Sequence, residues 1–467
     1  MLALHDSATG EVSPLSLRVP GQVSLYVCGP TVDGVPHLGH GRFSLVFDVL
    51  RRYLLFTGLE VTYVSNITDI EDKIIERASS LGVDIDEFTA TNEALWWEIM
   101  DALGVLRPDG TPHATAYVPR MIELVADLMD RQVAYETGDG VYLSVAEVPG
   151  YGLLAHQPLE SLRAGARVEA DEEKRSPLDF VLWKKAKEGE PSWESPWGMG
   201  RPGWHTECVV MSLDLLGEGF ELHGGGLDLM FPHHENERAQ AVASGHPFAR
   251  HWVHNGWVTV GGEKMSKSLG NFTSLSDLLS RSDARAYRLL VLRSHYRSPI
   301  EVTPETIGDA ESGLARLDEL ARRFDLADLS AGGPVVDGAG PAAPGEPVDR
   351  EAVDRFRRCM DDDLDTPGAL ATVFELVRRA NAAHDRGDTG DAASSAYTAA
   401  LLAAALGLGL RTGTGADADP ATADLVRRRD EARAARRWDE ADTLRGELEA
   451  DGWLVEDGPD GTRIRRR

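Results

Sequence analysis

Two short stretches, far apart in the chain, have the residue types to hold one triphosphate: His37-Leu38-Gly39-His40 and Lys264-Met265-Ser266-Lys267-Ser268. The first follows the apolar run Val23 to Val27 and opens a segment, Gly41 to Tyr53, whose apolar residues recur at helical spacing. A helix start there presents unpaired N–H groups and the positive end of the dipole to an anion. Gly39 lets a ligand approach the backbone, and the two imidazoles can donate to phosphate oxygens. The second stretch lies between Gly261-Gly262 and Gly270 and holds two of only seven lysines in 467 residues. Ammonium groups on such a loop can close over phosphates and neutralise the charge that develops as pyrophosphate departs.

A second constellation has the chemistry of a metal site. Cys28 follows the first apolar run; Cys208 ends Trp204-His205-Thr206-Glu207-Cys208; His233 and Glu237 stand four apart in a segment opened by Pro232. In the first turn of a helix those last two side chains share one face. His234 would point about 100° away, so His233 is preferred to it as a ligand, with His234 as the alternative. Two thiolates, one imidazole and one carboxylate make a four-donor shell suited to zinc. Structural zinc usually draws on CxxC pairs, whereas here one donor comes from the turn beside the phosphate site, which points to a metal that touches substrate. A coordinating metal deprotonates a thiol, so free cysteine is the natural substrate. Serine offers a harder ligand that ionises less readily, and metal–sulfur bonding can supply the discrimination, on the order of 4 kcal/mol, that otherwise requires editing.

The paired nucleotide stretches resemble the HIGH and KMSKS signatures of class I aminoacyl-tRNA synthetases. Tyr26 to Thr31, Asn66 to Ile70 with Asp72-Lys73, Arg201 to Cys208, His223 to Glu237 and Met360 to Pro367 resemble the cysteinyl branch of that family, and the likeness spans nearly the whole chain. The resemblance implies zinc on Cys28, Cys208, His233 and Glu237, ATP contact by Lys267, and a cysteine pocket shaped by Thr68, Trp204, His223 and Asp228. Catalysis would rest on His37, His40, Lys264 and Lys267, with Gly39 also against ATP. Magnesium would accompany the ATP, although the sequence offers no dedicated ligands for it. Val32 to Pro36 departs from the family's more aromatic turn, and Leu38 replaces the commoner isoleucine; neither change removes a phosphate or metal donor. Trp204 is also compatible with core packing, and Cys359, with no histidine nearby, reads as a buried thiol.

These residues need a scaffold of several cores, which 467 residues allow. Alternating strands and helices from Val23 to about residue 108 read as half of a Rossmann-like parallel sheet. The expected order is a first catalytic half over 1–110, an insertion over 111–196 and the second half over 197–258. The lysine loop and stem-contact region follow over 259–303, then a helical tRNA-binding bundle over 304–412 and an anticodon-binding module over 420–467. A helix is expected over Asp277 to Ser294, another over Ala421 to Ala450, and a strand pair at Trp453 to Val455 and Thr462 to Ile464.

Three cysteines argue against a disulfide framework and for a reducing cytoplasm, and the N-terminus has no signal-peptide pattern. No run approaches about 18 apolar residues, so no membrane association is expected. The net charge of -28 sits poorly with nucleic acid, but residues 427–467 balance 11 arginines against 11 acidic residues, which leaves that tail neutral. The functional expectation is a monomeric cysteine–tRNA ligase acting on L-cysteine, ATP and tRNA(Cys). The alternatives are a ligase of the same fold with an amino-sugar acceptor, and a zinc-bound nucleotide sensor or tRNA-binding scaffold without turnover.

Overall fold

The structure is a computed structural model that describes residues 2–157, 173–260, 263–264, 274–326, 348–411, 420–458 and 461–466. At its centre is a parallel sheet of four strands in the order His251–Asn255, Leu222–Gly226, Gln22–Val27, Glu60–Ser65. Parallel strands are covered on both faces, and the first of these strands in sequence order supplies the required apolar run: Val23, Leu25, Tyr26 and Val27 are all buried. In register, Leu25 lies between Leu222 and Tyr63. The order places Gln22–Val27 beside a strand almost 200 residues later. The chain passes from this central strand to its neighbour on one side and, after the long excursion, returns to its other side, and the crevice where the winding reverses in this way is where open α/β sheets bind ligands.

The helix Leu38–Phe56 covers one face and begins three residues before the expected Gly41, because His37 caps it. Its Phe47 packs so closely that a Cβ on Gly224 would lie 2.2 Å from the ring, so only glycine fits there. On the same helix Asp48 is fully buried between Arg288 at 2.5 Å and Arg52 at 2.8 Å. Arg42, also buried, donates to the carbonyls of Trp257, Tyr296 and Ser298. The helix is thereby tied to the chain that flanks the lysine loop.

The excursion between the two halves forms its own antiparallel sheet, in the order Ala134–Glu136, Gly140–Leu143, Phe180–Lys185, Gly200–Pro202, against the helix Val118–Asp130. Its fourth strand lies beyond residue 196, so the inserted unit reaches further than the sequence pattern indicated. Lys184 at 2.7 Å and Arg201 both bind Asp72, at the start of the helix Asp72–Leu81, and fasten this sheet to the catalytic body.

After the lysine loop the expected single helix over 277–294 is two, Leu275–Leu279 and Ala284–Leu292. Asp283 causes the break: its carboxylate caps the second helix by accepting from the Arg285 amide and also binds the Arg285 and Arg411 guanidiniums. Four helices follow, Pro304–Phe324, Arg350–Asp361, Thr366–Asp385 and Thr389–Ala405, and their apolar faces are continuous with the core of the central sheet. The expected helix over 421–450 is likewise two, Pro420–Ala434 and Trp438–Ala450, broken where Arg436 adopts a left-handed φ of 57°. The strands Trp453–Gly458 and Gly461–Arg466 pair antiparallel beneath them. Among the described residues no helix is long and apolar enough to cross a membrane.

Candidate metal and nucleotide site

His37 and His40 form a reciprocal cap: the Nδ1 of each accepts from the backbone N–H of the other at 3.3 Å, and the rings stack with centroids 3.7 Å apart. An Nδ1 that accepts cannot carry the proton, so both neutral rings are set as Nε2–H donors. A Cβ on Gly39 would meet the His37 ring at 2.9 Å, so the stack requires glycine at that position. Lys264 is described as backbone only, in the strand Glu263–Lys264, which pairs with Val258–Val260. Lys267 lies outside the described residues.

The four expected metal donors converge. Cys28 Sγ lies 3.5 Å from Cys208 Sγ and 3.3 Å from Glu237 Oε1; His233 Nε2 lies 3.7 Å from Cys208 Sγ and 3.0 Å from Glu237 Oε1. Tetrahedral zinc with ordinary bond lengths would set these edges at roughly 3.3 to 3.8 Å; the three edges to sulfur fall in that range and the His233–Glu237 edge, at 3.0 Å, is a little short, so the donor set fits the ion with side-chain adjustment alone. Cys28 comes from the end of the central strand, Cys208 from the first turn of the helix Glu207–Leu216, and His233 with Glu237 from the turn into the helix Glu235–Ala243. All four are buried. Burial first, then Cys208 and Glu237, holds the Cys28 thiol well above its usual range, and burial pushes Cys208 up to about 11. Burial, with His205 and His223 nearby, holds His233 far below the usual imidazole range, so its ring is neutral and fit to ligate. A cation is what would bring the two thiols down.

Cys28 and Glu237 also belong to a second compact donor set with His223 and His234. His234 is therefore also turned inward, within reach of Cys28 and Glu237, and its Nδ1 meets His254 at 2.8 Å. His223 is fully buried and its Nε2 lies 2.7 Å from Glu237 Oε2, so it steadies the carboxylate from behind. Thr68, 2% exposed, donates to Glu207 Oε2 at 2.6 Å and likewise sits behind the wall. Trp204 stacks on His233 with centroids 4.1 Å apart and, with Asp228, lines a cavity of about 370 Å³ that Cys28, His37 and His40 also line. The chemistry of both sequence constellations thus opens into one space.

Three residues without an assigned role complete the site. His205 Nδ1 lies 2.8 Å from His233 Nδ1, which fixes the ring that turns its Nε2 toward the thiols. Asn66 accepts from Tyr26 Oη at 3.1 Å and from the Gly29 amide at 2.8 Å, and donates to Thr68, so one side chain braces the turn that carries Cys28. Lys73 also lines the cavity. The sequence offered two signals for it, the rarity of lysine and its place in the Asp72-Lys73 pair of the resemblance, but neither gave it a role.

A family model described as the tRNA synthetases class I (C) catalytic domain matches residues 15–312, and one described as a DALR domain matches residues 355–411. The chain is 47% identical over 475 residues to the cysteine–tRNA ligase of Halorhodospira halophila, covering 100% of both chains. It is 46% identical over 476 residues to that of Alkalilimnicola ehrlichii, again covering 100% of both. Among solved structures, methionyl-tRNA synthetase of Mycobacterium tuberculosis in complex with methionyl-adenylate superposes with a TM-score of 0.60 at 16% identity, over 82% of this chain and 90% of that one, a likeness of fold.

Proposed function

The chain belongs to the cysteine–tRNA ligases of the class I tRNA synthetases, and on that premise we propose how its residues divide the work. It is an ATP-dependent aminoacyl-tRNA ligase. The amino acid carboxylate attacks the α-phosphorus of ATP, and the bond to pyrophosphate breaks. The aminoacyl group then passes to a terminal ribose hydroxyl of tRNA as AMP leaves. No protein nucleophile is needed, so the rate must come from positioning and from stabilising charge.

The observation that carries the finer reading is the convergence of Cys28, Cys208, His233 and Glu237 at the cavity that also receives the start of the His37–His40 helix. These four residues would hold zinc, which when bound supplies a soft Lewis acid able to select a substrate thiol over a hydroxyl. Trp204, stacked on His233, walls that position from water. Asp228 is suited to the substrate ammonium group. The Nε2–H groups of His37 and His40 donate to the phosphates, Gly39 lets the nucleotide approach the helix start, and Lys264 and Lys267 neutralise the leaving pyrophosphate, with magnesium accompanying ATP. Thr68 and His223 act through Glu207 and Glu237 rather than by lining the cavity.

Residues 1–110 and the stretch that follows the strand Gly200–Pro202 as far as residue 258 would form the catalytic halves, 304–412 the tRNA-facing bundle and 420–467 the anticodon module. Cysteine-dependent ATP–pyrophosphate exchange tests the first step, and charging of tRNA(Cys) the second. The expected preference for cysteine over serine is on the order of 1,000-fold or more and should collapse when the metal is removed. Exchange equal for the two amino acids would refute metal-based selection. Exchange without charging of tRNA, but with transfer to an amino-sugar, would reassign the acceptor.

A further inference from the structure

Lys73 is a cation at the reaction cavity that neither the metal cluster nor the triphosphate machinery uses. It is the second residue of the helix Asp72–Leu81, it is exposed, and it lines the same cavity as Cys28, His37 and His40. The acids around it are already engaged. Asp72 is held by Lys184 and Arg201, Asp33 by Arg77 at 3.2 Å, and Glu71 caps the helix by accepting from the Lys73 amide at 2.7 Å. Among the described residues no carboxylate lies within ion-pair distance of the Lys73 ammonium. By contrast, Lys184 has Asp72 and Lys185 has Glu136. The Lys73 ammonium is near enough to favour the charged form of the Glu71 carboxylate but makes no close ion pair with it, so in a chain of net charge -28 it can still take an anion from outside the protein.

The sheet order argues against ATP as the source of that anion. The lysine loop follows the edge strand His251–Asn255, through Val258–Val260, whereas Lys73 follows the opposite edge strand, Glu60–Ser65. On the Lys73 side the neighbour is the inserted sheet, joined through Asp72. A polynucleotide whose terminal ribose reaches the activated carboxyl must bring its last phosphodiester to the cavity that Lys73 lines, next to the inserted sheet. We propose that Lys73 binds the phosphodiester preceding the terminal nucleotide of the tRNA acceptor strand. It is then a positioning residue for the transfer step. This rests on the ligase reading above.

The test compares Lys73→Ala and Lys73→Arg with the native enzyme, using a tRNA(Cys) transcript and the same transcript without its terminal adenosine. Cysteine-dependent ATP–pyrophosphate exchange should stay within about two-fold in both variants. Single-turnover transfer from preformed cysteinyl-adenylate should slow about ten-fold or more in Lys73→Ala and largely recover in Lys73→Arg. The alanine variant should weaken binding of the full transcript but not of the shortened one, and make the salt dependence less steep by about 0.7 in log–log slope. Equal losses in exchange and transfer would move Lys73 to the ATP site, and unchanged transfer would make it an ordinary surface lysine; either result overturns the proposal. If the native enzyme shows no cysteine-dependent exchange, the ligase reading itself fails.

Discussion

His205 offers a sharp test of the metal site because it touches no donor to the ion except through His233. The two Nδ1 atoms are 2.8 Å apart, a distance at which one must donate and the other accept. If His233 gives its Nε2 lone pair to a metal, its Nδ1 carries the proton and His205 Nδ1 is the acceptor. Burial keeps His205 neutral by lowering it to about 4, so the accepting tautomer is available at physiological pH. Removing such an outer partner typically lowers metal affinity 10- to 100-fold, or about 1.4 to 2.7 kcal/mol. His205→Ala should therefore weaken zinc binding by that factor, whereas His205→Asn should restore most of it, because the asparagine carbonyl oxygen sits where Nδ1 was. Competition against a chromogenic chelator reads the affinity, and pyrophosphate exchange with cysteine should fall in parallel at limiting zinc and recover at excess. Unchanged affinity in His205→Ala, or equal loss in both variants, would refute the tautomer argument and the use of His233 Nε2 as donor.

Zinc uptake should also be steeply dependent on pH. Cys28 and Cys208 are both held up by burial, and His233 is already neutral, so binding must expel about two protons. The log of the apparent affinity should rise by about 2 per pH unit between pH 6 and 8, as read by chelator competition, and a flat profile would mean that the thiols are not ligands. Lys267→Ala should slow pyrophosphate exchange while leaving bound zinc, measured by elemental analysis, unchanged. Asp48→Ala would strand Arg288, which is 1% exposed, and should destabilise the fold by about 3 to 5 kcal/mol, less whatever Arg288 recovers from the carbonyls of Leu103 and Gly104. Burial pushes the Asp48 carboxyl up, but Arg288, Arg52 and the Leu106 amide together hold it below the usual range. Its contribution is thus present above the unfolded carboxylate pKa and lost as pH falls through the lower folded value. A denaturant midpoint that does not move in Asp48→Ala would refute this.

The chemistry was more legible than the scaffolding because it depends on residue type, whereas scaffolding depends on what meets across the fold. Two lone cysteines, a histidine and a glutamate four apart, and a glycine between two histidines each limit what a site can be. Nothing local distinguishes Asn66 from any polar residue after a strand, yet it bonds to Tyr26, 40 residues earlier. His223 and Thr68 were attached to the pocket by resemblance, and only the fold reveals that they act behind it. The two missed helix breaks share a cause. Neither Ser280 to Asp283 nor Ala435 to Arg437 contains glycine or proline, so helical periodicity runs through both. The chain stops at the first because Asp283 finds two arginines and a cap, and at the second because Arg436 takes a left-handed conformation.

The acidic balance of the chain poses a final question about tRNA, and the last two helices point to an answer. Their arginines are mostly spoken for: Arg427 pairs with Asp424 and Glu431, Arg437 with Glu440, and Arg445 with Glu449. Arg429 is buried, and it bonds to Thr462 of the terminal hairpin. Exposed pairs of this kind within a helix are worth only about 0.2 to 0.5 kcal/mol each, so a phosphate can replace the carboxylate at little cost while releasing condensed counterions. The same pairing would keep the arginines from gripping nucleic acid at random, and the negative body repels any polyanion not presented to the tail. On this account, neutralising Asp424 and Glu431 together should tighten tRNA binding but raise the affinity for unrelated RNA by a larger factor. Filter-binding with cognate and non-cognate transcripts reads both quantities, and an equal gain for the two would mean that the acidic partners contribute nothing to selectivity.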